Sequence, residues 1–246
     1  MTPQLSADRF DAVLFDLDGV LTDTAAVHAR AWTAMFDDFL RAHAERTGGR
    51  FVPFTMDDYR NHVDGKPRYD GVRSFLASRG IDLPEGAPGD PATAETVCGL
   101  GNRKNTAVNQ LLDDEGVTRY EGSVRLVQQL HDRGMKLAVV SSSRNCAAVL
   151  GAAGLADYFG ARVDGVVAEA RGLPGKPAPD TFLAAASDLG AVPARSVVVE
   201  DAISGVQAGR AGGFGLVIGV DREGRPEMLR SNGADVVVSD LGALVE

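Results

Sequence analysis

The chain has 246 residues, of which 44% are hydrophobic and 24% charged, and its formal net charge is −9. This length supports one large domain, or one and a half, with a sizeable buried core. No apolar run approaches the roughly 18–20 residues that span a bilayer, and the negative charge disfavours nucleic acid and anionic lipid, so we expect neither nucleic acid nor membrane as a partner.

The N-terminal residues and the cysteines point to a cellular compartment. The first ten residues, MTPQLSADRF, lack the basic segment and the apolar run of a secretory signal. Two cysteines, Cys98 and Cys146, do not suggest a disulfide framework. We therefore expect a cytoplasmic protein, and we expect a monomer.

The first predicted element is a buried strand over residues 12–15, which ends in two carboxylates, Asp16 and Asp18. Gly19 permits a sharp exit from the strand that can bring both carboxylates to the rim of a sheet. Acidic residues at the carboxyl end of a strand are costly in a core and useful in a site. The pattern favours a catalytic pair, although two such acids also occur together on ordinary surfaces.

The middle of the chain, residues 24–105, has almost no strand-like runs and is predicted to be a helical insertion. It divides the chain into an insertion of residues 24–105 and a core domain of residues 1–23 and 106–246. Breaker-rich stretches separate its predicted helices, which cover residues 25–46, 70–79 and 93–112.

From residue 120 onward, strand and helix patterns alternate. This alternation is typical of a parallel sheet with helices on both faces. The predicted fold is therefore α/β, a three-layer Rossmann-like parallel sheet with an inserted all-helical domain. Its later strands are predicted at residues 135–141, 165–168, 196–200, 214–220 and 234–238.

Three further polar segments accompany the predicted strands. The hydroxyls and backbone N–H groups of residues 141–145 suit a phosphate, although serine and asparagine also cap helices for purely structural reasons. Lys176 stands before two prolines that would fix its direction, although such a lysine taken in isolation is more often a solvated surface residue. We expect each of these segments to follow a buried strand.

Glu200 and Asp201 end the apolar run of residues 197–199. Adjacent acids repel each other at a sheet rim, and a hard cation such as Mg²⁺ would explain them better than a helix N-terminal role for Asp201. Together with the serine segment and Lys176, these acids would meet Asp16 at one rim of the sheet.

Four segments of the chain resemble the four motifs of the haloacid dehalogenase-like phosphotransferases. Within that superfamily the chain is most similar to the β-phosphoglucomutase group, because of residues 22–24 with His28 and Trp32, the loop of residues 63–68, and residues 103–105 and 143–145. The four motif segments read DLDGVLTDT, VVSSSRN, GKPAPD and VVVEDAISGVQAG.

The resemblance implies a role for each core residue. Asp16 would be the nucleophile that forms an aspartyl phosphate, and Asp18 the general acid and base. Lys176 would bind oxygens of the transferring phosphoryl group. Ser141 would bind the same phosphoryl group. The ligands of Mg²⁺ would be Asp16, Glu200, Asp201 and the Asp18 backbone carbonyl.

The resemblance also implies that the insertion is a cap that closes over the site. A small phosphosugar would be the substrate, and β-D-glucose 1-phosphate would be converted to glucose 6-phosphate through the 1,6-bisphosphate. A second phosphate would be bound by Arg68 with Ser143, Arg144 and Asn145. Further substrate-binding positions are Ser142 and Gly65, with Thr24 and His28 coupling closure to Asp18.

The chain also departs from the group. Asp64 stands where the group carries a lysine, with Lys66 two residues on, and Arg144 also replaces a lysine. Arginine can still grip phosphate. These departures keep a phosphatase acting on a small phosphomonoester as the alternative reading. A non-catalytic phosphosugar-binding protein is disfavoured, because the full set of acids and the lysine is present.

Overall fold

A computed structural model describes residues 4–222 and 224–246 of the chain. The chain forms two compact units. The core unit contains the residues up to Asp23, then Gly65–Pro67 and Val117–Glu246. The helical unit contains Thr24–Asp64 and Arg68–Gly116. Residues 1–3 and 223 of the predicted core domain lie outside the described residues.

The core unit is built on a six-stranded sheet in which all neighbours are parallel, in the order β3-β2-β1-β4-β5-β6. This confirms the predicted α/β fold. The strands are β1 (Ala12–Phe15), β2 (Lys136–Val140), β3 (Ala161–Val163), β4 (Ser196–Glu200), β5 (Leu216–Val220) and β6 (Val236–Val238).

Helices flank this sheet and make up the helical unit. Within the described residues, none combines the length and the apolar character that a bilayer span requires. The α-helices are α1 (Ala25–Thr47), α2 (Met56–Asp58), α3 (Arg68–Ser78), α4 (Val97–Glu115), α5 (Glu121–Asp132), α6 (Cys146–Ala152), α7 (Gly165–Arg171), α8 (Asp180–Asp188), α9 (Ile203–Ala211) and α10 (Pro226–Ser231).

Strand β1 lies in the middle of the sheet and all four of its residues are buried. Burial on both faces explains its continuous apolar sequence, because helices cover a parallel sheet from both sides. Leu14 packs in one apolar cluster with Phe182 of α8. Phe15 aligns with Val139 of β2 and with Val199 of β4, so all three strands end at one level. The strand order runs outward from β1 to β3 on one side and from β4 to β6 on the other, so it reverses between β1 and β4. Open parallel sheets bind ligands at such a reversal point.

The predicted strand at residues 165–168 is wrong, because this segment is helix α7. The Asp164 carboxylate accepts hydrogen bonds from the backbone N–H groups of Val166 and Val167, each at 3.0 Å, and so caps the helix. Lys176 therefore lies in the loop between α7 and α8, not at a strand end as we expected.

The helical unit has its own apolar core. Phe36 of α1 lies 4.2 Å, centroid to centroid, from Phe75 of α3 and 5.3 Å from Trp32. The predicted boundary at residue 105 falls inside α4, which continues to Glu115 in this unit. The reason is packing beyond residue 105: Val108 joins an apolar cluster with α1, and Glu115 accepts two hydrogen bonds from Arg30.

Candidate active site

The centre of the candidate site is a buried charged trio: Asp16 after β1, Glu200 at the end of β4, and Lys176. The Lys176 Nζ lies 2.5 Å from Asp16 Oδ1 and 2.5 Å from Glu200 Oε1. It also donates to the Val140 carbonyl oxygen at 3.2 Å. All three donor hydrogens of the ammonium therefore have acceptors, and the two carboxylates lie on either side of one cation.

The trio carries one net negative charge away from water, and its pKa values reflect this. Burial raises the pKa of Asp16 well above its ordinary 3.8, and the charges of Glu200 and Asp18 add to the rise while Lys176 opposes it. Burial alone would lower the pKa of Lys176, but the charges and hydrogen bonds of Asp16 and Glu200 outweigh it, so this pKa is raised. The lysine stays protonated, and the site favours a further cation.

Asp201 completes a set of acids suited to such a cation. Asp16, Glu200 and Asp201 each offer one carboxylate oxygen, and these three oxygens lie within 4.8 Å of one another. Mg²⁺ prefers a few carboxylate oxygens and completes its shell with water and phosphate oxygens. The residues present therefore fit the magnesium ion that the sequence predicts.

Glu200 is fixed by the first turn of α9. Its Oε2 accepts from the Ala202 N–H at 2.8 Å, in addition to the Lys176 contact at Oε1. Gly205 makes room for it, because a β-carbon there would lie 1.7 Å from Glu200 Oε1. The carboxylate is thus held by the backbone N–H of Ala202 and by Lys176, and residue 205 tolerates no larger side chain.

Gly19 lets the chain turn close to Asp201. Its φ is +86°, and a β-carbon there would lie 1.7 Å from Asp201 Oδ2. We expect Gly19→Ala to weaken Mg²⁺ binding about tenfold or more, because Asp201 must move out of the acidic set. Calorimetric titration with Mg²⁺ measures this.

Gly134→Ala is the matched control for that variant. Gly134 also has a positive φ, of 74°, but a β-carbon there meets nothing within 4 Å. It shares the backbone strain without the contact to an acid. Equal Mg²⁺ affinity in the two variants would contradict the placement of Asp201 at a metal site.

The serine segment after β2 folds back on its own hydroxyls. Ser141 Oγ donates to Asp18 Oδ2 at 3.3 Å and accepts from the Ser143 N–H at 3.0 Å. Ser143 Oγ accepts from the Asn145 N–H at 3.1 Å, and the Asn145 side chain does not cap α6. Ser142 Oγ donates to the Gly65 carbonyl oxygen at 2.7 Å, within the core unit. The structure thus brings Ser141 to Asp18, and Ser142 to Gly65.

Arg144 has a partner that the sequence did not predict. Its guanidinium forms an ion pair with Glu169 of α7, and the Arg144 side chain is 40% exposed. An exposed pair of this kind contributes little stability, so a stronger anion such as a phosphate would compete with Glu169 for the guanidinium.

The other predicted substrate-binding residues belong to the helical unit. Arg68 donates to the Tyr69 hydroxyl at 3.0 Å, and that hydroxyl donates to Asn102 Oδ1 at 2.9 Å. Thr24 is buried and precedes α1. The structure therefore groups Asp16, Asp18, Ser141, Lys176, Glu200 and Asp201 in the core unit, and Arg68, Thr24 and His28 in the helical unit.

His28 contacts Lys104, a residue that we did not include among the predicted site residues. Lys104 is buried, its Nζ lies 2.9 Å from His28 Nδ1, and it lies 4.9 Å from the Trp32 ring centre. A protonated ammonium can only donate, so Nδ1 accepts and Nε2 of a neutral imidazole carries the proton. The sequence signal was a lysine on the apolar face of α4.

Comparison with known proteins places this geometry among related enzymes. The sequence profile of the haloacid dehalogenase-like hydrolases matches residues 10–213. A β-phosphoglucomutase of Mycobacterium tuberculosis is 53% identical over 242 residues, covering 97% of this chain and 92% of that protein. Fructose-1-phosphate phosphatase YqaB of Escherichia coli is 30% identical, covering 85% and 96%. The crystal structure of β-phosphoglucomutase from Clostridium difficile has a TM-score of 0.75 at 25% identity, covering 96% and 93%.

Proposed function

This chain belongs to the haloacid dehalogenase-like hydrolases and is a phosphotransferase of that superfamily, and we propose that it is a magnesium-dependent β-phosphoglucomutase. It would interconvert β-D-glucose 1-phosphate and glucose 6-phosphate through the 1,6-bisphosphate. The observation that carries this proposal is the 53% identity to a β-phosphoglucomutase over nearly the whole length of both chains.

The first half-reaction uses the trio and Asp18. A carboxylate oxygen of Asp16 attacks the phosphorus of one phosphate of the bisphosphate, and the bond from that phosphorus to the sugar oxygen breaks. Asp18, as the acid, gives its proton to the departing oxygen. The contact of Asp18 with Ser141 Oγ at 3.3 Å supports this role, because a hydroxyl there can orient the acid beside the serine segment.

The second half-reaction reverses the roles. Asp18, now a carboxylate, takes the proton of the 6-hydroxyl of an incoming β-D-glucose 1-phosphate, whose oxygen attacks the phosphorus of the aspartyl phosphate. The bond between that phosphorus and Asp16 breaks, and the carboxylate is restored. Lys176 lies 2.5 Å from Asp16, so its charge can stabilise both the carboxylate and the phosphoryl oxygens.

A bound Mg²⁺ would offset the negative charge of the acids and of the incoming phosphate. Asp16, Glu200, Asp201 and the Asp18 backbone carbonyl are the proposed ligands. Arg68, Ser143, Arg144 and Asn145 are proposed to bind the second phosphate of the substrate, with Ser142, Gly65, Thr24 and His28 as supporting residues. The exposed ion pair of Arg144 with Glu169 is consistent with this, because a phosphate could replace Glu169 at the guanidinium.

A coupled assay tests the proposal. Purified protein is given Mg²⁺, β-D-glucose 1-phosphate and a trace of the 1,6-bisphosphate, and glucose 6-phosphate and inorganic phosphate are measured together. We expect glucose 6-phosphate to form at least about a hundredfold faster than phosphate is released, because a mutase protects its phosphoenzyme from water.

A phosphatase acting on a sugar phosphate is the second candidate. The similarity to a fructose-1-phosphate phosphatase and the presence of Asp64 in place of a lysine favour it. In this case the assay yields inorganic phosphate and no glucose 6-phosphate, and the mutase proposal fails. Protein carrying Asp16→Asn, purified in the same way, shows whether any phosphate release comes from a contaminating enzyme.

A further inference from the structure

Arg222 reaches from the loop after β5 to the loop that carries the catalytic acids. It lies two residues after β5, and its side chain is only 18% exposed. Its Nε donates to the Gly19 carbonyl oxygen at 2.9 Å, and one terminal nitrogen donates to the Val20 carbonyl oxygen at 3.4 Å. The contact is thus with the two residues that follow Asp18.

The guanidinium is itself held in place from three directions. Its other terminal nitrogen donates to the Ser239 carbonyl oxygen at 3.1 Å and to Asp240 Oδ2 at 3.3 Å. Its central carbon lies 3.6 Å from the centre of the Tyr120 ring, a cation–π contact. The planar, always charged group is therefore fixed by a carboxylate and an aromatic face, and presents its remaining donors to the loop.

The loop depends on such an anchor because it is short and sharply turned. Gly19 N–H donates to the Thr22 carbonyl oxygen at 2.7 Å, and the Leu21 and Thr22 N–H groups donate to the Leu17 carbonyl oxygen. Ser123 Oγ donates to the Val20 carbonyl oxygen at 2.7 Å. The turn's own hydrogen bonds set its shape, whereas Arg222 and Ser123 set where it lies.

The position of this turn also determines where Asp18 and Gly19 lie relative to the other site residues. Asp18 within it accepts from Ser141 Oγ, and Gly19 lies so close to Asp201 that a β-carbon would meet its carboxylate. A shift of the Gly19–Val20 peptide would therefore move Asp18 relative to both Ser141 and Asp201. A misplacement of about 1 Å in a reacting group can cost on the order of a hundredfold in rate.

We propose that Arg222 is a positioning residue for phosphoryl transfer, which holds the Gly19–Val20 peptide so that Asp18 stays in register with the charged trio. Arg222 keeps this loop ordered and does not itself contact the substrate. Lysine cannot replace it fully, because one ammonium cannot serve the Gly19, Val20 and Asp240 oxygens while stacking on Tyr120.

The experiment measures the rate at which the phosphoenzyme forms from the 1,6-bisphosphate in rapid-quench mixing, well below the melting temperature. For Arg222→Ala we expect a 10- to 100-fold lower maximal rate, with the half-saturating substrate concentration changed by less than about threefold. Arg222→Lys should recover part of the rate, and guanidinium ion at tens of millimolar should raise the rate of Arg222→Ala severalfold.

Arg195→Ala is the matched control. Arg195 also lies in the core unit and donates to a carboxylate, Asp11 Oδ1 at 2.9 Å, and to a carbonyl oxygen. Its loss should leave the phosphoenzyme rate unchanged, and guanidinium ion should not affect it. An unchanged rate in Arg222→Ala, or a rate loss equal to that of Arg195→Ala, would overturn the proposal.

Amide hydrogen exchange of residues 17–23 separates this inference from the proposed function on which it rests. Exchange in this segment should accelerate in Arg222→Ala and not in Arg195→Ala, whatever the enzyme acts on. If the wild-type protein forms no phosphoenzyme, the proposed function fails, while the exchange result still decides whether Arg222 orders the loop. Equal exchange in the two variants would refute the anchoring role.

Discussion

Replacing Lys176 with methionine is expected to destabilise the metal-free protein by about 3–5 kcal/mol, because removing one partner leaves buried charges uncompensated. Lys176 is the cation between Asp16 and Glu200, with a side chain only 1% exposed. Without it, the two carboxylates carry two net negative charges in the same dry place. For a chain of this length, the expected fall in Tm is roughly 6–20 °C, measured by calorimetry in the absence of divalent cations.

The loss of stability in Lys176→Met should increase as pH rises. In Lys176→Met, burial and the charge of the neighbouring Glu200 hold the pKa of Asp16 above that of the unfolded chain. The folded state then binds more protons than the unfolded state, so stability falls as pH rises. The difference in Tm from the wild type should therefore be larger at pH 8 than at pH 5.

Two further variants test that explanation. Lys136→Met removes an exposed lysine that donates to the Gly190 carbonyl oxygen, and it should change Tm by no more than about 2 °C. Adding Glu200→Gln to Lys176→Met removes one of the two uncompensated charges and should recover part of the stability. If the double variant is no more stable than Lys176→Met alone, the loss comes from packing and not from charge.

The order of secondary structure in the core was largely predictable from the sequence, because every strand except β3 is a short apolar run with a polar end. Strand β3 (Ala161–Val163) has an arginine at its centre and was not predicted. Strand β4 has the predicted bounds. A predicted strand that became a helix is the second difference: residues 165–168 are apolar and include two β-branched valines, yet Asp164 caps a helix there through two backbone N–H groups. The capping hydrogen bonds of Asp164 outweighed the β-strand propensity of the two valines. Lys176 therefore follows a helix and not a strand.

The acids of the site were predictable for a different reason. Charged residues directly after buried strands have no structural explanation in a core, so Asp16, Glu200 and Asp201 stood out. Lys176 reaches them although it lies in a loop, and the sequence marked it only by the neighbouring prolines. The distance of 2.5 Å to both carboxylates is a tertiary fact that no spacing in the chain expresses.

Contacts between segments that are distant in the chain could not be predicted from the sequence. Glu169 pairs with Arg144, and Arg222 meets Gly19 across about 200 positions of the chain. Lone arginines and glutamates are most often solvated, so nothing in their local sequence distinguishes these from the others. The strand order, which brings the ends of β1, β4 and β5 to one edge, is what made the Arg222 contact possible.

Asp16→Asn is expected to abolish turnover and, at the same time, to stabilise the metal-free protein. Asparagine cannot form the aspartyl phosphate, so we expect a loss of about 10⁴-fold or more and no acid-precipitable phosphoenzyme. Lys176 keeps its contact with Glu200, and the trio becomes neutral. Tm should rise by a few degrees at pH 8 when no divalent cation is present.

The sign of this change in Tm follows from the raised pKa of Asp16. Burial is the main cause of the raised pKa, and the charges of Glu200 and Asp18 add to it. A carboxyl whose folded pKa exceeds its unfolded value contributes stability below the unfolded value, and that stability is lost as pH rises through the folded value. Asparagine does not titrate, so the advantage of the variant should shrink as pH falls towards 3.8.

Asp11→Asn and added Mg²⁺ complete the test. Asp11 is a surface acid of the core unit that pairs with Arg195, so its replacement should preserve activity and give no gain in Tm. Mg²⁺ should raise the Tm of the wild type more than that of Asp16→Asn, because the variant lacks one of the three carboxylates. If Asp16→Asn keeps its activity, Asp16 is not the nucleophile. If it is less stable at pH 8 than the wild type without metal, the Asp16–Lys176 pair is worth more than the repulsion it offsets.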